Sequence, residues 1–171
     1  MKVDLNADVG ESFGRYTLGM DDHLIPLLSS ANIACGYHAG DPLVMEKTVE
    51  LCKNAGVALG VHPGFPDLQG FGRRNMDCTP KELKTMLLYQ MGALEAFLHK
   101  DGLKLQHVKP HGALYNMAAK EEELAKAICD AVKEYDSSLV ILAQASGKLY
   151  QLAEKTGLPV KAEVFMDRAY E

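Results

Sequence analysis

The sequence predicts an α/β protein, built either as a (β/α) barrel or as an open parallel sheet. Six short apolar segments with strand character alternate with five helical segments along the 171 residues. Three of the strands deliver a histidine at the point where the chain turns into a loop rich in glycine and proline. Both architectures present their chemistry at the carboxyl ends of parallel strands, so the fold class also predicts where the functional site lies.

Size and composition are those expected of one globular domain over residues 1–171. The net charge of −5 gives no basic field, which argues against a nucleic-acid partner, and no apolar run is long enough to span a membrane. The first residues lack the apolar core of a signal peptide. The four cysteines include no C-x-x-C pair, so we expect free thiols, no zinc cluster, no disulfide framework and a reducing cytoplasmic setting.

The first strand is expected over Lys2–Val9, where apolar residues alternate with Asp4, Asn6 and Asp8. An edge strand with one solvated face would show this pattern, and so would a barrel strand whose polar inner face lines a site. We favour the barrel strand, because it runs into a loop that begins at Gly10 and not into a hairpin.

The helices are predicted from their termini. Asp41 and Pro42 are a favoured N-cap and first helical residue, so a helix is expected from Pro42 to about Ala55, and we assign Asp41 to capping rather than to catalysis. A capping box at Thr79 starts a helix that runs to Lys100. Their inward faces are expected to be Val44, Thr48, Leu51 and Cys52, and Met86, Leu87, Met91, Leu94 and Leu98. Further helices are expected at 21–28, 120–135 and 147–155, the last capped by Ser146, and further strands at 31–36, 57–62, 105–109, 139–143 and 159–165.

The last predicted strand ends among charged residues. Glu163 and Asp167 share one face of it, and Arg168 follows. An all-parallel barrel of this kind typically needs about 250 residues. Because a strand end rich in site-like residues is the last element of the sequence, we expect an incomplete barrel that lacks one or two strand–helix units.

A long loop over residues 63–74 is rich in glycine and aromatic residues, which is typical of functional loops and of disordered ones. Its Arg73 and Arg74 suit an anion clamp. Two solvated arginines on a surface loop are an equally good interpretation.

The polar residues at the strand ends would share one cavity if the strands close into a barrel. They are Asp4, Asn6, Asp8, His38, Asp41, His62, Lys109, His111, Glu163, Asp167 and Arg168. Two kinds of chemistry suit this set, a divalent metal that activates water or metal-free general acid–base catalysis, and both stay open because the histidines form no spacing motif. The possible metal ligands are Asp8, His38, His62 and His111. A single histidine at a strand end is more often a hydrogen-bond partner of the backbone than a functional residue. Three other histidines have no such context and are left outside the predicted site: His23, His99 and His107.

Six motifs of the sequence resemble those of the LamB/YcsF family. They are Asp4–Gly14, Asn32–Pro42, Gly60–Asp67, Gly70–Arg74, Val108–Asn116 and Glu163–Arg168. Ala7 and Val9 depart from the Cys and Met expected in the first motif, but both belong to its apolar face. The resemblance implies a seven-stranded, TIM-like (β/α) barrel similar to those of glycoside hydrolases and polysaccharide deacetylases.

The resemblance also implies an activity, the ATP-dependent opening of 5-oxoproline to L-glutamate in a complex with B and C subunits. ATP would be a co-substrate, and because the sequence has no G-x-x-x-x-G-K-[ST] loop, its contacts would need another geometry or a partner. A homo-oligomer is compatible with the sequence. The residues expected to be catalytic are Asp8, His38, His62, Lys109, His111 and Glu163. Those expected to bind substrate are Asn6, Glu11, Arg73, Arg74, Asp167 and Arg168.

In this reaction Asp8 or His111 is expected to act as the base and Lys109 to stabilise negative charge on oxygen. Two rival functions stay open. One is a metal-dependent deacetylase or amidohydrolase that acts alone on a sugar or an amide, although the first strand motif has no adjacent pair of aspartates. The other is a non-catalytic subunit that binds substrate or partners, although a scaffold would not need so many ionisable groups at strand ends.

Overall fold

The strands of this protein follow one another across a single parallel sheet. The computed structural model describes residues 3–166. Within them the strands are β1 (Asn6–Val9), β2 (Ser30–Ala34), β3 (Ala58–His62), β4 (Leu105–Val108), β5 (Val140–Gln144) and β6 (Val160–Glu163). The helices are α1 (Asp21–Leu24), continued by a 3₁₀ turn (Ile25–Leu27), α2 (Pro42–Ala55), α3 (Pro80–Lys100), α4 (Gly112–Ala118), α5 (Glu122–Asp136) and α6 (Lys148–Lys155). The order β1-β2-β3-β4-β5-β6 is that of a (β/α) barrel, since the order reverses in a doubly wound sheet.

Side chains from the two outer strands of the sheet meet at one atom. In a flat sheet β1 and β6 would lie about 24 Å apart, since neighbouring strands are separated by about 4.8 Å. Asp8 of β1 and Glu163 of β6 instead place carboxylate oxygens 3.0 Å and 2.8 Å from the ammonium nitrogen of Lys109. The sheet is therefore strongly curled. This confirms the predicted (β/α)-barrel class, seen here as an incomplete barrel, and a seventh strand stays a prediction.

The start and end of α2 are as predicted. The Asp41 side chain accepts hydrogen bonds from the backbone N–H groups of Leu43 and Val44, and Gly56 ends the helix with a φ of 69°. Asp41 also accepts a 2.7 Å hydrogen bond from the N–H of Gly14. The cap of α2 thus fastens the loop that follows β1.

The predicted inward face of α2 is partly wrong. Thr48 and Cys52 are buried as expected, but Val44 and Leu51 are only half-buried. Met45 and Val49 are buried in their place. Two apolar stripes of this helix are adjacent in sequence, and contact with β2 and the 3₁₀ turn, rather than composition, selects the one that faces inward.

Helix α3 follows its predicted capping box and packs against α5. Thr79 Oγ1 accepts from the N–H of Glu82 at 3.3 Å, and Glu82 Oε2 accepts from the N–H of Thr79 at 2.8 Å. The predicted stripe is confirmed in its main part, because only Met86 is half-buried. The buried apolar residues of α3 are Leu83, Leu87, Met91, Leu94 and Leu98.

Three details in the second half of the chain differ from the predictions. The region after His111 was expected to be a loop, but it forms α4, because Ala113, Leu114 and Ala118 bury one face of a short helix despite its first residue being glycine. Ser146 does not cap α6, since Gly147 is the N-cap and no side chain caps it; Ser146 has a φ of 64°. The last strand ends at Glu163, two residues earlier than predicted.

The four cysteines are free thiols, of which Cys35, Cys52 and Cys129 are buried. None of the helices within residues 3–166 has both the length and the apolar character that crossing a membrane requires.

We expect Thr79→Ala to lower the free energy of unfolding by about 1 kcal/mol, because the first turn of α3 loses its side-chain acceptor. Thr85→Ala is the matched control. Thr85 lies exposed in the same helix and donates only to the carbonyl of Lys81, so its loss should change stability by less than about 0.5 kcal/mol. Chemical denaturation measures both variants, and equal losses would contradict the capping account.

Candidate active site

Lys109 is the centre of the polar cluster at the carboxyl ends of the strands. It follows β4, and its side chain is 5% exposed. The ammonium nitrogen lies 3.0 Å from Asp8 Oδ1, 2.8 Å from Glu163 Oε1 and 3.4 Å from Asn6 Oδ1. These three acceptors match the three N–H donors of an ammonium group. One cation is therefore held by two carboxylates and an amide that come from both outer strands.

A buried hydrogen-bond chain fixes the acceptors of Lys109. The Asn32 side chain of β2 donates to Asn6 Oδ1 at 2.8 Å and to Asp8 Oδ1 at 2.9 Å. Its own oxygen lies 2.7 Å from His107 Nε2, which therefore carries the hydrogen. Gly60 provides the space for this ring, because a Cβ at that position would collide with His107 Nε2.

Three histidines from three strand ends form a cluster beside Lys109. His38 follows β2, His62 ends β3 and His111 follows β4, and all three are buried. The rings of His38 and His111 are stacked, with centroids 3.6 Å apart and planes 3° from parallel. The His62 ring is nearly perpendicular to both, at 89°. The structure thus brings together the histidines that the sequence singled out.

Backbone carbonyls determine which nitrogen of two rings carries hydrogen. His62 Nδ1 lies 2.7 Å from the carbonyl oxygen of Lys109, and His111 Nε2 lies 2.7 Å from that of Phe71. A carbonyl oxygen can only accept, so both nitrogens are donors. In neutral rings the remaining nitrogens, His62 Nε2 and His111 Nδ1, are bare acceptors, and they face each other at 3.0 Å.

Glu11, in the loop after β1, is the carboxylate that contacts all three rings. Its Oε1 lies 3.1 Å from His38 Nε2, 3.6 Å from His111 Nδ1 and 4.0 Å from His62 Nε2. Asp8 approaches the cluster through one contact, 3.3 Å from Oδ2 to His62 Nε2. Among the described residues, Glu11 and the three histidines are therefore the group whose geometry suits a metal ion, whereas the sequence grouped Asp8 with the histidines.

Burial sets the charge states of this site. It lowers the pKa of His38 to about 2, that of His111 to about 3 and that of His107 to about 4, so these imidazoles are neutral at pH 7. Burial raises the pKa of Asp8, but His62 and Lys109 outweigh it and hold that pKa well below its ordinary value. Burial raises the pKa of Glu11, while His62 and His111 oppose the rise.

The loop after β3 forms a wall against the histidines because glycines let its backbone come close. The buried Gln90 side chain of α3 accepts from the N–H of Gly64 at 2.9 Å and donates to its carbonyl at 3.1 Å. A Cβ at Gly64 would lie 2.6 Å from His38 Nδ1. At Gly72, where φ is 63°, a Cβ would lie 2.7 Å from atoms of both His38 and His111.

A cavity of about 300 Å³ opens beside Lys109 and the histidines. Its volume suits a small molecule, and its wall combines cationic, anionic and aromatic groups. The Arg73 guanidinium lies 5.5 Å from the centre of the Phe71 ring and adds positive charge to this wall. The side chains that line the cavity are Asp8, His62, Arg73, Lys109, Pro110, His111, Ala113, Tyr115, Asn116 and Phe165.

The two arginines that were predicted to bind an anion have different surroundings in the structure. Arg73 lines the cavity, whereas Arg74 forms an ion pair with Asp67 and lowers the pKa of that carboxyl to about 2. Four other residues that were expected to be catalytic or to bind substrate do not line the cavity: Asn6, Glu11, His38 and Glu163. Asp4 was wrongly expected to share the cavity, because it lies before β1 and accepts a hydrogen bond from Ser30 at the start of β2. Asp167 and Arg168 lie outside the described residues, so their predicted substrate contacts stay predictions.

Sequence reasoning missed two supporting residues and part of the cavity wall. It left out His107 and gave Asn32 no role, although His107 and Lys109 are two residues apart and so share a face of β4. His107 and His111 are four residues apart, but one bonds to Asn32 and the other faces His62. Tyr115, Asn116 and Phe165 belong to the wall, and no role was predicted for them although two of the family-like motifs contain them.

The chain is similar to known proteins over nearly its whole length. The profile of the LamB/YcsF family matches residues 3–171. The A subunit of 5-oxoprolinase from Clostridium beijerinckii is 59% identical to the chain over 170 residues, and that from Pyrococcus horikoshii is 55% identical over 170 residues. Each alignment covers 99% of this chain and 67% of the relative.

A solved structure shows the same fold. The crystal structure of a lactam utilization protein from Thermus thermophilus matches with a TM-score of 0.97 at 52% sequence identity. The match covers 99% of this chain and 69% of the other. The curled parallel sheet is therefore an architecture that this protein shares with an experimentally determined relative.

We expect Gly72→Ala to destabilise the protein and to displace the stacked histidines. The left-handed backbone costs about 1 kcal/mol for alanine, and overpacking against His38 and His111 adds about 1–3 kcal/mol. Gly157→Ala is the matched control, because Gly157 has a φ of 75° but nothing within 4 Å of the added Cβ. Denaturation and histidine NMR signals report the outcome. Equal losses of stability, with unmoved histidine signals, would contradict the close approach.

Proposed function

The chain belongs to the LamB/YcsF family, and we propose that it opens the lactam ring of 5-oxoproline to give L-glutamate in an ATP-dependent reaction. We further propose that it does so as an A subunit, together with B and C subunits, in a cytoplasmic setting. The names of the relatives support the substrate class. The observation that carries the proposal is the small cavity in which an ammonium, an ionised carboxylate and a guanidinium face one space.

The proposed substrate fits the charges of this cavity. 5-Oxoproline is a small ring with a carboxylate at one end and a lactam carbonyl at the other. Arg73 suits the carboxylate, because a guanidinium binds it through paired hydrogen bonds. Lys109 suits the lactam oxygen, because its bond to Asn6 is long at 3.4 Å and can be exchanged for a bond to substrate. The two cations thus provide one partner for each end of the molecule.

The role of ATP follows from the stability of the amide. Resonance stabilises the lactam, so we propose that a partner subunit first transfers the terminal phosphoryl group of ATP to the lactam oxygen. Water then adds to the activated carbon, the C–N bond breaks, and its electron pair stays on the nitrogen, which takes up a proton. The resulting acyl phosphate reacts with a second water to give glutamate and phosphate. The site on this chain would direct the water.

Of the two candidate bases, the geometry favours Asp8 over His111. One third of the Asp8 side chain is exposed (33%), and its carboxylate lines the cavity. Both nitrogens of His111 are already within 3.0 Å of other atoms, a backbone carbonyl and His62. Asp8 would accept the proton of the attacking water, and Lys109 would stabilise the negative charge that develops on oxygen.

Glu163 and Asn6 act as positioning residues in this proposal. Both contact the Lys109 ammonium, and neither lines the cavity. The other predicted catalytic residue outside the cavity, His38, contacts Glu11 and stacks on His111. These groups would fix the side chains that meet the substrate.

A metal-dependent amidohydrolase acting alone is the second candidate, and one observation favours it. Glu11 and the three histidines have ligand atoms within 4.8 Å of one another. The two functions differ in a simple requirement. Lactam or amide hydrolysis by this chain without ATP and without partner subunits would support the second candidate and contradict the first.

We expect Lys109→Met to reduce turnover by about 10²–10³-fold, since removal of one charge-stabilising donor typically costs that much. The measurement is ATP-dependent release of glutamate from 5-oxoproline, with B and C subunits held constant. Lys104→Met, at an exposed position, is the control and should leave turnover unchanged. Circular dichroism checks that the variants fold. Full activity of a folded Lys109→Met variant would show that the proposed role of this site is wrong.

Substitution of the two arginines should have different effects on KM for 5-oxoproline. We expect Arg73→Met to raise KM for 5-oxoproline about 10-fold or more, because a charged hydrogen bond is worth about 1.5–3 kcal/mol. Arg74→Met removes the ion pair with Asp67 and should leave KM close to the wild-type value. An equal rise of KM in both variants would contradict the assignment of Arg73 to the substrate carboxylate.

A further inference from the structure

We propose that Glu11, His62 and His111 bind one divalent first-row transition-metal ion, and that His38 positions this site without ligating the ion. The ligand atoms are Glu11 Oε1, His62 Nε2 and His111 Nδ1. Metal binding by these residues can be measured without substrate, ATP or partner subunits. The proposal therefore stands or falls separately from the proposed reaction.

The three ligand atoms have the spacing of a metal site. They are separated by 3.0 Å between the two histidine nitrogens, 3.6 Å from Glu11 to His111 and 4.0 Å from Glu11 to His62. A tetrahedral ion with bonds of about 2.0–2.1 Å holds its ligand atoms about 3.3 Å apart. The observed triangle thus needs adjustments of well under 1 Å to close around an ion.

The hydrogen bonds of the two histidines leave lone pairs that require a cation. His62 Nδ1 donates to the carbonyl of Lys109, and His111 Nε2 donates to the carbonyl of Phe71. When both rings are neutral, the facing nitrogens are acceptors only 3.0 Å apart, a repulsive arrangement unless a positive charge lies between them. Metal-binding histidines usually donate their other N–H to a carbonyl or carboxylate in this way.

The ring planes show why His38 is a positioning residue. An imidazole binds a metal along the lone pair in its own plane, and the planes of His62 and His111 cross at 89°, so both lone pairs can meet at one point. The His38 ring is parallel to His111 at 3.6 Å, so one ion cannot lie in both planes. His38 Nε2 instead contacts Glu11 Oε1 at 3.1 Å, where its N–H orients the carboxylate.

The donor set indicates the class of metal. Two imidazole nitrogens and one carboxylate suit Zn²⁺ and its neighbours, whereas Mg²⁺ and Ca²⁺ prefer oxygen ligands. Three protein ligands leave a fourth position for water or a substrate oxygen, as in catalytic zinc sites. His62 and His111 both line the cavity, and Asp8 Oδ2 is 3.3 Å from His62 Nε2. The open position would therefore belong to the same cavity as Lys109.

A shared proton is the competing explanation of the 3.0 Å contact. A proton bridges two atoms, so it would account for the His62–His111 pair. The positive charge of a protonated pair would also attract Glu11 Oε1, so the binding of Zn²⁺, and not this contact, separates the two explanations. A metal ion accounts for all three contacts at once.

The test is a titration of the chelator-treated full chain with ZnCl₂ by isothermal calorimetry, supported by elemental analysis. We expect one Zn²⁺ per chain. His62→Ala and His111→Ala should weaken binding by at least about 100-fold, whereas His38→Asn should weaken it by about 10–100-fold and keep the stoichiometry, as loss of a supporting residue does. His99→Ala, at the exposed end of α3, should have no effect.

Two further measurements cover variants that fail to fold. Glu11→Gln preserves side-chain size at a loop position and should still weaken Zn²⁺ binding. Wild-type protein loaded with Co²⁺ should show the visible absorption of a low-symmetry site. Addition of Zn²⁺ should displace the Co²⁺ and abolish this absorption.

Three results would overturn the proposal. The first is that wild-type protein binds Zn²⁺ no more tightly than folded Glu11→Gln or His62→Ala. The second is that His99→Ala weakens Zn²⁺ binding as much as the variants of the ligands do. The third is that the His62 ring gives the NMR signal of a protonated imidazole and that Zn²⁺ does not change this signal. Loss of stoichiometric binding in folded His38→Asn would overturn the assignment of His38. Zn²⁺ binding as described, with no release of glutamate from 5-oxoproline in the presence of ATP and the B and C subunits, would contradict only the proposed function.

Discussion

The Lys109 ammonium, held between Asp8 and Glu163, is the interaction on which the site depends. A buried charge is unfavourable without partners, and here the partners come from the two outer strands of the sheet. The curl of the sheet and the charge balance of the site are therefore coupled. If the sheet flattened, the ammonium would lose one carboxylate, and if the ammonium were lost, two carboxylates would repel each other across the barrel.

Two clusters share one wall of this site. Lys109 and its acceptors, supported by Asn32 and His107, form one cluster, and the three histidines with Glu11 form the other. Asp8 belongs to both, because one oxygen contacts Lys109 and the other contacts His62. The backbone carbonyl of Lys109 also accepts from His62, so the side chain and main chain of one residue link the clusters.

The sequence predicted the parallel α/β class, most helix termini and the convergence of strand-end residues, because these follow from local patterns. The resemblance to the LamB/YcsF family, rather than a local pattern, implied the closed barrel over an open sheet. Polar residues alternating in β1, capping residues such as Asp41 and Thr79, and histidines before glycines are readable in one dimension. The face of α2, the helix α4 and the cap of α6 depend on tertiary packing, which propensity does not encode. Glu11 and Gly72 show the same limit at the site, since their proximity to the histidines arises from how two loops fold over the strand ends.

The most direct test of the account is a crystal structure of the chain with 5-oxoproline. The account predicts the molecule in the cavity beside β4, with its carboxylate at Arg73 and its lactam oxygen at the Lys109 ammonium. A second hollow of about 310 Å³ lies between α2 and α3 and also presents lysines, among them Lys53 and Lys100. Binding of 5-oxoproline there, with the strand-end cavity holding only water, would contradict the central claim.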